Sequence, residues 1–327
     1  MPYTYVHFQF RFVNQEGNTK GMSSHNAKID EEGIMLQEEP LLFDDIHEIK
    51  WHKNRIAFEL YPYLTLSPTL TEQIIPRTTS IIIEVEDELE KDVRNLSLQY
   101  LTTSQGYQKQ HKLTLEGKKD SYRAEQCPNC TAILDLTNYA NTHYIYCKHC
   151  EIIFDKLKQP IPQSENYRVC PECDFYDRVQ DYTEFSCYAV KNDRRFGIKE
   201  HEFCDTCAGR LLDKITWKNA LFLVALPSTI LMRGKATENR SAFYAEIAKA
   251  NRFAQDGKLK PAEDLYMLMM LRNEKHPALW YNHGLAYLLA GENARAMHLF
   301  KRALEYCSNY KPILDMIRLH SAKEIYL

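Results

Sequence analysis

At 327 residues the chain is too long for one small core, and two or three domains are expected. Hydrophobic residues at 44% and charged residues at 26% are ordinary for a soluble globular protein. The formal net charge of -3 implies no general attraction to nucleic acid or to an anionic membrane. The charge is unevenly spread: residues 1–120 hold 13 basic and 19 acidic side chains, 121–239 hold 15 and 16, and 240–327 hold 13 and 9. Such a gradient fits separate modules better than one uniform body. Val6 to Val13 alternate apolar with polar and make no continuous apolar core of a secretory leader, so a cytoplasmic protein with reduced thiols is expected.

Residues 1–120 read as mostly strand. Val6, Phe8, Phe10 and Phe12 fall on one face, as do Ile56, Phe58 and Leu60, and Ile81, Ile83 and Val85. Turn signals at Glu16-Gly17-Asn18, Glu32-Gly33 and from Pro62 to Pro76 separate these runs. Leu89, Val93 and Leu96 are spaced for a short helix over 86–101. The run from Lys28 through Gly33 to Leu36, then Leu42 to Ile49, then Arg55 to Leu60, resembles a bacterial pleckstrin-homology-like domain. That resemblance implies a small barrel of strands closed by a helix, and another small antiparallel β domain would read equally well. With no dense Lys/Arg loop to grip a phosphoinositide, protein interaction is favoured over lipid binding.

The middle of the chain carries four Cys-x-x-Cys pairs. Cys127–Cys130 and Cys147–Cys150 form a first set, with sixteen residues between the inner cysteines. Cys170–Cys173 and Cys204–Cys207 form a second, with thirty between. Zinc takes four deprotonated sulfurs at the corners of a tetrahedron, and two turns of this spacing brought together by a hairpin supply them. Both sets resemble zinc ribbons, which implies two structural Zn2+ per chain, at 121–165 and at 166–215. The longer insertion in the second set leaves Cys187 or His201 as conceivable substitutes. Cys187 and Cys307 otherwise read as small buried apolar residues, and His143 and His149 as bystanders. Iron would use the same four thiolates, although Thr131, Glu151, Asp174 and Ala208 stand where rubredoxin-like pairs usually carry glycine. Thiol–disulfide chemistry needs a pair at a helix N-terminus, and Cys204–Cys207 comes closest, because Ala208 to Asp213 could begin a helix. A four-thiolate shell has no open position for hydrolytic chemistry.

The C-terminal region repeats at 34 residues. Ala250 recurs as Gly284, Phe253 as Tyr287, Gly257 as Gly291, Ala262 as Ala296 and Tyr266 as Phe300. Trp280, Gly284, Tyr287 and Gly291, followed by Ala296, Phe300 and Ala303, look like a tetratricopeptide repeat. His283 replaces that family's usual leucine and Ser308 its proline. The resemblance implies antiparallel helix pairs over 240–327, with 312–326 as a terminal helix. Two repeats need a neighbour to cover them. The apolar run Ala220–Met232, within a linker at 216–239, is the expected cover and is too short and too Pro-interrupted to span a bilayer.

The expected fold class is therefore multidomain α+β: an N-terminal antiparallel β domain, two zinc ribbons and C-terminal helical repeats. No phosphate loop, His-Glu-x-x-His or nucleophile elbow is present, so a non-enzyme is expected. The preferred function is an adaptor that binds protein partners through its repeats. A nucleic-acid-associated factor is the first alternative, resting on Lys191, Arg194, Arg195, Lys199 and Phe196, with Asp174, Asp177, Asp181 and Glu184 opposing it. A membrane-associated adaptor using 217–232 is the second. Metal removal is expected to unfold 121–215 and to spare the helices.

Overall fold

The computed structural model describes residues 5–21, 23–62, 66–86, 88–156, 167–190, 193–219, 242–272 and 275–324. The apolar run Ala220–Met232 lies outside them, as do the side chains of Cys187, Lys191, Arg194, Arg195 and Phe196. The chain divides into two compact units, Met1–Asn138 and Tyr139–Leu327. No helix among the described residues is long and apolar enough to cross a membrane.

The first unit is built on seven antiparallel strands: β1 (Val6–Phe12), β2 (His25–Ile29), β3 (Gly33–Leu36), β4 (Glu39–Leu42), β5 (Ile46–His52), β6 (Arg55–Leu60) and β7 (Ser80–Val85). They lie in the order β4-β3-β2-β1-β7-β6-β5. Alternation decides the faces: Phe8, Phe10 and Phe12, then Ile56 and Phe58, then Ile81 and Ile83, are all buried. A short helix α1 (Pro68–Thr71), capped by Ser67 Oγ, sits between β6 and β7. Helix α2 follows at Glu90–Leu115 and is much longer than the 86–101 expected. After Leu101 the apolar period lapses into polar residues, but the helix runs on to bury Leu113. Gly106 leaves room in it for the Tyr122 hydroxyl, which would stand 2.6 Å from a Cβ there and would have to shift. The hairpin of β8 (Ala124–Gln126) and β9 (Ile133–Asp135) rests on α2, where Thr102 Oγ1 accepts from Ile133 N at 2.8 Å and Thr131 Oγ1 donates to Asn95 O at 3.0 Å.

The second unit opens with the β10–β11 hairpin (Tyr144–Tyr146, Ile153–Asp155). A three-stranded sheet follows: β12 (Tyr167–Val169), β13 (Tyr176–Val190) and β14 (Asp193–Cys204). Helix α3 (Asp205–Asn219) begins where β14 ends. Then come two helix pairs and a final helix: α4 (Ala242–Gln255) with α5 (Leu259–Arg272), α6 (Pro277–Leu289) with α7 (Asn293–Tyr306), and α8 (Lys311–Glu324).

The 34-residue period is visible in the backbone. Gly257 and Gly291 both take positive φ, at 73° and 80°, and end α4 and α6 with the same turn. Lys258 N reaches Phe253 O at 2.8 Å in one pair, and Glu292 N reaches Tyr287 O at 2.9 Å in the other. Gly284 lets α6 and α7 approach: a Cβ there would lie 2.5 Å from the Phe300 ring. His283 is buried and stacks on Tyr266 with ring centroids 5.4 Å apart.

The helical array does not stand apart from the cysteine modules. Tyr146, Ile153, Tyr167, Phe175 and Tyr176 share one hydrophobic core with Ile247, Tyr266, Tyr281, Phe300 and Tyr310. This sharing gives the helix pairs a neighbour; the cover expected of residues 220–232 lies outside the described residues.

Candidate metal centre

The eight paired cysteines come together in two groups of four. In each group, Cys127, Cys130, Cys147, Cys150 and Cys170, Cys173, Cys204, Cys207, the sulfurs lie within 4.8 Å of one another. None of the eight is in a disulfide. Four sulfurs at about 2.3 Å from a central zinc would be about 3.8 Å apart. Cys173 Sγ and Cys204 Sγ are separated by 3.7 Å. That edge of the second group has the length that a tetrahedral ion requires, and four thiols gathered this closely fit zinc.

Three of the four pairs are built by one backbone device. Cys127 N donates to Ala132 O and Thr131 N to Cys127 O, at 2.9 and 3.1 Å. Cys147 N with Ile152 O, and Glu151 N with Cys147 O, repeat this at 2.9 and 2.8 Å. Cys170 N with Phe175 O, and Asp174 N with Cys170 O, repeat it again at 2.9 Å each. The residue after each pair takes a left-handed conformation: Thr131 at φ 60°, Glu151 at 61° and Asp174 at 61°. These are the positions where glycine was missed in the sequence, so the turn forms without it. Asp adopts this conformation readily, whereas Thr and Glu hold it at a cost.

The fourth pair departs from the two-turn expectation. Cys204 is the last residue of β14, and Cys207 sits in the first turn of α3. Its site is completed by a helix N-terminus, whose positive dipole end favours thiolate. Backbone donors point at the sulfurs here: Cys204 N to Cys170 Sγ at 3.3 Å and Cys207 N to Cys204 Sγ at 3.5 Å. Asp205, the first residue of α3, anchors that helix. It accepts from Arg178 Nε and Nη2 at 3.1 and 2.9 Å, from Gln180 Nε2 at 3.1 Å and from the Tyr182 hydroxyl at 2.5 Å. All but Gln180 are buried.

The electrostatics also call for a cation. Hydrogen bonds from Cys173, Cys204 and Cys207 pull the Cys170 thiol down, so it ionises first. Once Cys170 carries charge, the hydrogen bonds that Cys173, Cys204 and Cys207 make to it push each of those thiols up, and burial adds to this. Four thiolates cannot share this volume without a positive ion between them.

The remaining sequence candidates fall away from the centres. His201 is engaged by Glu184 at 2.9 Å and stacks on Phe203, so it is no ligand. Cys307 is buried beside Asn309 and belongs to neither group of four. Burial pulls His149 down to about 4, which leaves it neutral beside Cys150. Asp177, one of the four carboxylates that oppose nucleic-acid binding in the sequence, is fully buried.

Sequence reasoning missed the polar residues that fix the cysteine turns to the helices. Asn282 accepts from Tyr176 N and donates to Tyr176 O, each at 2.8 Å. Asn251 donates to the same carbonyl at 3.1 Å and accepts from Asn282 at 2.9 Å and from the Tyr266 hydroxyl at 2.6 Å. Asn309 holds Tyr146 in the same two-sided way, at 3.0 and 2.8 Å. The available signal was Asn282, beside His283, in the mostly apolar stretch from Ala278 to Leu289. Comparison with protein-family models, with curated proteins and with solved structures finds no match.

Proposed function

We propose that the protein is a non-catalytic cytoplasmic scaffold, carrying two structural Zn2+ and binding protein partners through its helical repeats. The observation that carries this reading is the second cysteine group. Four sulfurs close it, none is left over for substrate, and its turn is bolted into the core of the helices. A closed shell supplies folding free energy and not chemistry. The seven strands and long helix of the first unit support a pleckstrin-homology-like reading, and the recurring helix pairs support tetratricopeptide repeats. The inner asparagines are taken up by the chain's own Tyr176 and Tyr146. Partners are therefore expected on the outward helices, where Met267, Leu268 and Leu271 of α5 are exposed.

Cross-linking of the full chain in cells, followed by mass spectrometry of the cross-linked peptides, tests this. The reading expects links to protein through Lys260, Lys258 or Lys301. Recovery of partners that vanishes on nuclease treatment would refute it in favour of nucleic-acid association.

A further inference from the structure

The second cysteine group is touched by one helical side chain that supplies neither sulfur nor charge. Gln255, the last residue of α4, directs Nε2 at Cys173 Sγ, 3.3 Å away. Its Oε1 accepts from Arg210 Nη1 at 2.7 Å, while Arg210 Nη2 binds Asp256 at 2.8 Å. The orientation of this amide follows from chemistry: a guanidinium only donates, so the oxygen must face Arg210 and the NH2 must face sulfur. Arg210 stands on α3, one turn beyond Cys207. The chain of contacts thus runs from the helix bearing one ligand, across α4, to the sulfur of another.

Four thiolates around one divalent ion leave a net negative shell, and each N–H aimed at sulfur spreads that charge. Cys170 and Cys204 receive backbone donors, and Cys173 receives the side chain of Gln255. Cys173 is also the one partly exposed member of the group, the other three being buried. It is the sulfur a proton or an electrophile reaches first. Helix α4 holds the same turn a second time, through Asn251 on the Tyr176 carbonyl.

We propose that Gln255 is a positioning residue of the second metal site. Its amide protects the Cys173 thiolate, and through Arg210 it makes metal retention depend on the docking of α4 against α3. This rests on the zinc reading above and goes beyond it by assigning an outer partner from the repeat array.

The test uses the full-length protein and three readouts: zinc transfer to a chromophoric chelator, alkylation of each cysteine followed by mass spectrometry, and the thiolate charge-transfer band of the cobalt(II)-substituted protein. Gln255→Ala should speed Cys173 alkylation and zinc loss from the second site about tenfold. It should shift the cobalt band and leave Cys127, Cys130, Cys147 and Cys150 unchanged. Gln255→Glu, which sets a carboxylate against the thiolate, should release zinc faster still, and Arg210→Ala should act in the same direction more weakly. Glu246→Ala, on the same helix as Gln255, removes the ion pair to Arg272 of α5 without touching sulfur, and should leave the Cys173 rate as it is. Two zincs per chain with an unchanged Cys173 rate in Gln255→Ala would overturn the role of Gln255 alone. A wild-type chain with no metal at Cys170, Cys173, Cys204 and Cys207 would overturn the zinc reading beneath it.

Discussion

Replacing Asn282 with alanine should destabilise the second unit without touching a metal ligand. The side chain is fully buried and makes three hydrogen bonds: two to the Tyr176 backbone and one to Asn251. Each is worth about 1 kcal/mol net, so the loss comes to about 3 kcal/mol before any cavity is counted. Asn251 still holds the Tyr176 carbonyl, which keeps the figure from rising further. For a body of this size, 1 kcal/mol moves the melting temperature by about 2–4 °C, so a drop of about 6–12 °C is expected. Asn282→Asp should be worse, since it trades a donor for a charge facing the Tyr176 carbonyl and Asn251 Oδ1. The assay is thermal and urea unfolding of zinc-loaded protein, followed by far-ultraviolet circular dichroism. A loss below about 0.5 kcal/mol, the range of an ordinary surface substitution, would refute the clamp.

Further outcomes follow from the same packing. Gly284→Ala should cost about 1–3 kcal/mol, because its Cβ would meet the Phe300 ring at 2.5 Å; an unchanged urea midpoint would contradict this. Asp205→Ala removes the buried ion pair with Arg178 and should cost about 3–5 kcal/mol, with zinc lost from the second site at a lower chelator concentration than in wild type. Burial, only partly offset by Glu263, pulls His283 down to about 4. The unfolded chain takes that proton first, near its ordinary value of about 6.5. Stability tied to His283 is therefore intact above about pH 6.5 and is lost as pH falls towards 4. His283→Leu should flatten that window in urea midpoints relative to wild type, and a parallel decline in both proteins would count against it. Chelation should remove much of the helical signal, since Phe175 and Tyr176 are part of the helical core. Intact helices after complete metal removal would show that the core survives without the ribbons.

The parts of this architecture that rest on period or spacing were legible in the sequence. Phe8, Phe10 and Phe12 alternate and are buried on one face, and Gly257 and Gly291 recur at 34 residues and turn alike. The eight cysteines assemble as their pairing implies. What escaped were features that depend on contacts distant along the chain. The polar second half of α2 carries no apolar stripe, yet it runs on to bury Leu113. The helical start at Cys204–Cys207 was visible as a local tendency, but its role in closing a metal site depends on Arg178, which anchors Asp205 from β13. Asn251 and Asn282 look like ordinary polar helix residues, and Asn309 like an ordinary turn residue, until the strands they hold are in place. The expectation that the helices would be independent of the metal came from reading the modules one at a time, and the shared core removes its basis.

The central claim is that both cysteine groups are closed structural zinc sites. Elemental analysis of purified full-length protein, paired with alkylation of native thiols, tests it most directly. The account predicts two zinc ions per chain, with Cys127, Cys130, Cys147, Cys150, Cys170, Cys173, Cys204 and Cys207 protected until chelator is added. Iron in place of zinc, fewer than two ions per chain, or rapid alkylation of any of the eight in metal-loaded protein would contradict it.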